Sequence, residues 1–395
     1  MDRAGAVRPL TTVAGRRPRR GHDVVGPAAE LLPHPTGLAS PAHPPTKGDR
    51  TVAMDLTGGL DEEWEFVFPR QPDNPEARES VNAWIWDDSG AFGIPRIGVE
   101  AVADQWDTHD VQVNLGFADG RVYNVFGPGP VRDPAGPDGR ARVLGAGPLS
   151  FELVEPYRHL RLRLDGTALA TTSDAQINGW TPWSGGEQVP IRAEIDLYPA
   201  APPWENGSTS EDARHILATQ EEGDLIGYPW RFEQLCRASG TVTIGDETHR
   251  LHGGADRIRR QGIRRLAKFW GHVWQAALFP SGRGFGFQVY PPRADGKPTY
   301  NEGYVVDGGE LIPARVVRAP WLRTLQASGQ DVTVVLETAK GTIEIGAETV
   351  LSTFMVMPPE VGGGMQLQQG LARYTWDGES AIGMIERSST PDQMS

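Results

Sequence analysis

Val111-Gln-Val-Asn-Leu-Gly-Phe117, Asp119-Gly120 and Arg121-Val-Tyr-Asn-Val-Phe126 decide the fold class. In the first piece Val111, Val113, Leu115 and Phe117 fall at every second position, so they share one face of an extended chain. Asp-Gly supplies the left-handed backbone of a tight hairpin, and the last piece returns antiparallel. The same grammar recurs at Leu160, Leu162 and Leu164, interleaved with Arg161 and Arg163 and closed by Asp165-Gly166. It continues at Thr241–Asp246, Phe285–Tyr290, Val332–Leu336, Thr342–Gly346 and Val350–Met357, with further Asp-Gly turns at 307–308 and 377–378.

Composition agrees with this reading. Of 395 residues, 48 are glycine and 33 proline, about a fifth, against an ordinary share near ~12%. A mainly helical protein is excluded. Hydrophobic residues at 38% and 12 tryptophans supply enough apolar material for a core, which excludes disorder of the whole chain. One short helix is expected between the halves: Ser208-Thr-Ser-Glu211 has capping-box spacing, and Ala213, Ile216 and Leu217 form a stripe behind it. The preceding Pro199-Ala-Ala-Pro-Pro203 marks a boundary. The expected organisation is a β domain at 54–205, a linker with the helix at 206–228, and a second β domain at 229–390. Turn signals every 8–15 residues suit a closed barrel or a sandwich in each half.

Residues 1–53 hold eight prolines and eight Lys/Arg against four Asp/Glu, with almost no apolar periodicity. They read as a disordered leader, or as an over-extended start with Met54 as the working one. The whole chain carries a net charge of −13, which disfavours nucleic acid and anionic lipid as partners. No run approaches the ~18 apolar residues of a membrane span. The lone Cys236 admits no internal disulfide, so a cytoplasmic location is expected. Neither a metal cage, a P-loop, a nucleophile elbow nor a dinucleotide fingerprint appears, and no cofactor or metal is expected.

The densest stretch is Phe232 to Tyr304. Six of the twelve residues from Arg257 to Lys268 are basic; they either pair with surplus acids at the surface or bind an anionic group. Gly253-Gly254 suits a sharp bend at a barrel rim, delivering Asp256 toward a cavity whose apolar surroundings would raise its pKa. Trp270, His272 and Trp274 share a face if extended, as do Trp84 and Trp86, and as do Tyr300, Glu302 and Tyr304. Each set can line a pocket or simply fill a core.

Two β halves, the triplet Phe232-Glu233-Gln234, the junction Gly253-Gly-Ala-Asp256-Arg257 and the Trp-rich strand after it resemble the double lipocalin-like (calycin) family of carotenoid hydratase (hydroxyneurosporene synthase) and tocopherol cyclase. The resemblance covers about residues 75–390. It implies an all-β fold of two successive lipocalin-like antiparallel β-barrels. Family members usually continue the junction as Asp-His-Ser-Trp-Gly-x-Arg, whereas this chain reads Asp256-Arg-Ile-Arg-Arg-Gln-Gly-Ile-Arg264.

By that resemblance Asp256 is the acid that protonates an alkene, Arg257 or Arg260 orients it, and Glu302 is a second acid or water base. Trp270, Trp274 and Tyr300 form cavity wall, joined by Trp84, Trp86, His272 and Tyr304. Glu233, Gln234 and Arg264 complete the substrate-binding set. The expected activity is a cofactor-independent hydratase, cyclase or isomerase acting on a hydrophobic isoprenoid, steroid or polyketide-like small molecule, to which the arginines would add an acidic group. Two alternatives stand beside it: a non-catalytic carrier of such ligands, and a Trp-rich carbohydrate-binding β protein with coplanar exposed indoles. The oligomeric state is left open.

Overall fold

A computed structural model describes residues 54–394, apart from 220–222, 224, 227–229, 266–268 and 359–361. The proposed leader at 1–53 lies outside the described residues, as does Lys268. No helix among the described residues is long and apolar enough to cross a membrane.

The chain is almost entirely antiparallel β-structure. Strands β1 (Ala77–Asp87), β2 (Phe92–Val102), β3 (Thr108–Phe117), β4 (Arg121–Pro130), β5 (Val143–Ala146), β6 (Leu149–Glu155), β7 (His159–Thr172), β8 (Gln188–Pro199), β9 (Trp204–Glu205), β10 (Arg231–Ile244) and β11 (Glu247–Ile263) form one sheet. Its order is β4-β3-β2-β1-β11-β10-β8-β7-β6-β5 with β9 paired to β10. Pairing of Arg121–Asn124 with Leu169–Thr172 joins β4 to β7 and curls the sheet into a ring. A closed eight-stranded barrel follows: β12 (Gly271–Leu278), β13 (Gly284–Val289), β14 (Asn301–Asp307), β15 (Glu310–Arg318), β16 (Val334–Thr338), β17 (Gly341–Val356), β18 (Gln366–Trp376) and β19 (Glu379–Ser389).

The hairpin at 111–126 forms as its alternation predicts, with the Gly120 amide donating to the Phe117 carbonyl. Two local expectations fail. Asp165-Gly166 is not a turn; it runs through the middle of β7, paired with Arg192 and Ile191 of β8. Gly253-Gly254 is not a bend either, and lies inside β11 opposite Asp87 and Trp86. Glycine is needed there because a Cβ on Gly254 would stand 2.6 Å from the Trp86 indole. Gly254→Ala is therefore expected to displace Trp86 and cost about 1–3 kcal/mol in urea unfolding, with the fold retained. An unchanged midpoint would show that the ring can move freely.

The sheets do not divide at 206–228. The hairpin of β10 and β11 belongs to the first sheet, filling the gap between β1 and β8, so Ala77 pairs with Ile263. The short helix, α1 (Glu211–Leu217), is capped by Ser210, whose hydroxyl accepts from the Ala213 amide. It packs Ala213 and Leu217 with Tyr290 and Tyr300 of the second barrel.

Alternation along the strands makes three layers. Inside the first ring lie Ile85, Val99, Val113, Leu162, Ile195 and Ala255. The second barrel is filled by Val273, Phe285, Phe287, Leu336 and Ile385. Between the barrels their outer faces meet, with Trp84, Trp86, Trp204, Leu235 and Ile258 against Trp274, Tyr304, Leu371, Ile382 and Met384. That shared face buries both sides of β1 and β11, which is why their burial does not alternate.

Candidate active site between the barrels

β11 sends Asp256, Ile258 and Arg260 toward the second barrel and Arg257 and Arg259 into the end of the first, as period-two geometry requires. Asp256 is fully buried between Trp84 on β1 and Leu235 on β10. Neither of its carboxyl oxygens has a hydrogen-bond partner among the described residues. Burial pushes its pKa well above the usual carboxylate range, and neighbouring Glu233 adds to the shift. Glu233 itself, also buried, is pushed up to about 7 by desolvation although Arg231 holds it at 2.5 Å. Two close carboxyls in an apolar setting cannot both ionise cheaply, so this pair retains a proton near neutrality.

Aromatic groups surround the pair. Trp84 and Trp274 meet edge-on at 4.3 Å between ring centroids, and Arg96 and Arg231 stand over them at 4.7 and 5.6 Å. Tyr304 lies 5.3 Å from Trp204, and burial, followed by the charges of Asp256 and Glu233, keeps its phenol protonated. Gly286 leaves room for that phenol, since a Cβ there would stand 2.6 Å from the hydroxyl.

Beside this cluster is a cavity of about 260 Å³, lined among others by Arg96, Arg231, Ile258, Arg260, His272 and Trp274. Arg264 lines it too. Its acidic wall is Glu386, which accepts from Trp84 Nε1 at 3.1 Å and Gln369 Nε2 at 2.6 Å and meets His272 Nε2 at 3.0 Å. Burial raises the Glu386 pKa, but these partners and Arg96 outweigh it and hold it at about 2. Glu100, just behind the wall, is likewise held at about 2 against desolvation by Arg260, Arg264 and Arg78.

Several expected site residues lie elsewhere. Arg257 does not orient Asp256: it forms a buried two-pronged ion pair with Glu65 at 2.6 and 2.8 Å and also donates to Gln234. Arg260 faces the Asp256 side but binds Glu100, not the aspartate. Gln234 points away from the cavity and donates to the carbonyls of Leu56 and Ala201. The Glu302 carboxylate is occupied by the Gly207 amide, the Thr209 amide and hydroxyl, and the Tyr300 hydroxyl. Glu302 and Tyr300 thereby fasten the approach to α1, and neither lines the cavity. Trp270 donates to the Pro291 carbonyl and packs on Tyr290, outside the cavity wall. Trp86 fills the interface over Gly254.

Arg96, Arg231, Glu100 and Glu386 were not expected at the site. The readable signal was a charged residue inside an apolar strand, as in Gly383-Met-Ile-Glu-Arg387. Trp183 is the one exposed indole among the described residues, and it meets Phe126 at 78°. That T-shape is not the coplanar platform expected of a sugar-binding face.

Residues 61–391 match the family described as Domain of unknown function (DUF7064). The chain belongs to that family. No curated protein sequence is similar to this DUF7064 chain. Among solved structures it is similar to a putative AttH from Nitrosomonas europaea, with 14% identity, a TM-score of 0.49, and coverage of 82% of this chain and 98% of that one. CghA with Sch210972 shows 10% identity, a TM-score of 0.48, and coverage of 82% and 94%. Kievitone hydratase from Nectria haematococca shows 10% identity, a TM-score of 0.46, and coverage of 86% and 97%. In the DUF7064 chain the matched region takes in both barrels and the segment that carries Glu65.

Proposed function

We propose that this chain is a cofactor-independent hydratase, cyclase or isomerase that protonates an alkene of a hydrophobic isoprenoid, steroid or polyketide-like molecule, with Asp256 as the acid. One observation carries the reading: a wholly buried carboxyl with no hydrogen-bond partner among the described residues, its pKa driven upward, set among indoles at the junction of two barrels. The resemblance at Gly253–Arg257 points the same way.

The chemistry balances without a cofactor. The alkene takes the Asp256 proton, leaving a carbocation and a carboxylate; water or an internal nucleophile then adds to the cation, and the proton released returns to the carboxylate. A face of Trp84 or Trp274 that Arg96 or Arg231 does not cover can stabilise the cation by ~0.5–2 kcal/mol. Arg231 holds Glu233 in place so that the proton rests on Asp256. A carrier of hydrophobic ligands is the second reading, favoured by one feature: Ile258, not Asp256, lines the cavity.

The two separate by isotope uptake. Hydrophobic molecules that co-purify with the protein are incubated with it in D2O and weighed by mass spectrometry. Deuterium, or the mass of one water, gained by a retained ligand is the expected result. Retention of ligands without any such gain would favour the carrier and overturn the enzyme.

A further inference from the structure

We infer that the inter-barrel cavity binds the oxyanion head group of an amphipathic ligand, with Arg96 as its anchor; this rests on the reading that the cavity receives the ligand. Arg96, Arg231, Arg260 and Trp274 all line the cavity, and the Nε groups of the three arginines and Nε1 of Trp274 are buried and find no acceptor among the described residues. Against these four donors the wall offers a single unmatched acceptor, Gln288 Oε1. Buried donors are almost always matched, and four lacking partners around one cavity call for a ligand rich in acceptors.

Charge points in the same direction. Arg231 and Arg260 are spoken for by Glu233 and Glu100, but Arg96 makes no ion pair with a carboxylate and rests on the Trp84 ring. Glu100 is shared by Arg78, Arg260 and Arg264. Among the described residues, the guanidinium groups of Arg78, Arg96, Arg231, Arg260 and Arg264 stand against three carboxylates, Glu100, Glu233 and Glu386, an excess of two positive charges. A guanidinium with a free edge matches a carboxylate or phosphate geometrically. The partly exposed Phe269, Met365 and Leu367 line the cavity too, whereas Arg231 and Arg260 are deeper in the protein by burial. Partly exposed apolar residues beside buried cations suit a ligand that enters head first and leaves its tail near the surface. At about 260 Å³ the space is below the ~300–1,000 Å³ of pockets that enclose a whole drug-sized ligand.

The test compares dodecanoate, dodecanol and dodecyl phosphate by isothermal calorimetry, with tryptophan fluorescence as a second readout. Dodecanoate is expected to bind about 10- to 100-fold more tightly than dodecanol, the range for charge-assisted hydrogen bonds. Dodecyl phosphate binding more tightly still would also support an oxyanion head and assign it to a phosphate ester. Arg96→Leu should abolish the preference, and Arg96→Lys, which keeps the charge but loses the fork, should retain part of it. Equal binding of acid and alcohol, no binding of any of the three, or a preference that survives in a folded Arg96→Leu would each overturn the inference. Asp256→Asn should bind dodecanoate as the parent does, so failure of the acid chemistry reads separately from failure of the anion site.

Discussion

Asp256→Asn is expected to lower turnover of the alkene substrate about 10²- to 10⁴-fold, the usual contribution of a positioned proton donor, with ligand affinity unchanged. The amide preserves the shape of the carboxyl but has no acidic proton to give. Deuterium incorporation per unit time is the measurement, with calorimetric binding as the control. Unchanged incorporation would remove Asp256 from the mechanism, and lost binding would make it a wall residue.

The same carboxyl pair sets an unusual pH dependence of stability. A group whose pKa is raised on folding stabilises fully below its unfolded pKa, and that contribution disappears as pH climbs to the folded value. For Glu233 the window runs from the ordinary 4.5 to about 7, and its loss across that range is on the order of 3 kcal/mol. Asp256 adds in the same direction. Glu100 and Glu386 act oppositely: their pKa values fall to about 2 on folding, so their contribution is present above 4.5 and fades as pH drops toward 2. Stability to urea should therefore peak near pH 4.5, lower than the usual ~5–8. Asp256→Asn should gain on the parent at pH 8 and lose that advantage at pH 4. A parent curve that rises steadily from pH 4.5 to 7 would contradict the raised carboxyls.

Arg257→Met is the second large effect, and it concerns stability alone. The variant leaves Glu65 buried beside an apolar side chain, and breaking a buried pair in this way costs about 3–5 kcal/mol. Glu65 also accepts from the Tyr157 amide, while Arg259 joins Glu79 at 2.6 Å and donates to the Phe66 carbonyl. The segment from Asp61 to Phe68 is thus fastened to the first sheet by the Glu65 ion pair and by the hydrogen bonds of Phe66 and Phe68 to the Arg259–Glu79 pair. Combining Arg257→Met with Glu65→Gln should recover part of the loss, because no lone charge remains. The readout is the urea midpoint of the single and double variants. A double variant that is the sum of its parts would mean the two side chains are not coupled.

The arginine run shows where sequence reading stops. Residue by residue, 257 to 265 is a basic stretch, and surface pairing or anion binding are both fair expectations of it. Folded as β11, it splits by parity. Arg257 and Arg259 go inward to Glu65 and Glu79, Arg260 and Arg264 go to Glu100, and only Arg265 stays outside with Glu76. Those partners sit more than 150 residues upstream, and nothing local names them. The 111–126 hairpin was legible because one face is wet and alternation survives. β1 and β11 were not, because a second barrel covers their outer face and apolar, charged and aromatic residues are buried alike. Asp256 draws attention in the sequence by its place after two glycines, although the glycines serve Trp86 and not a bend. Arg96 and Glu386 show locally only as charges inside apolar strands; what they face is set where the two barrels touch.

Placing β10 and β11 in the first sheet also has a consequence for the order in which the molecule can be made. The wall between β1 and β8 is the last part of that sheet to leave the ribosome, 186 residues after Ala77 has appeared, judged by its pairing with Ile263. Until then β1 and β8 are open edges, competent to pair with other chains. Such non-local pairing folds slowly and leaves intermediates exposed to aggregation. A chain ended at residue 205 should collect as aggregate, whereas one ended at 263 has every strand its first ring requires.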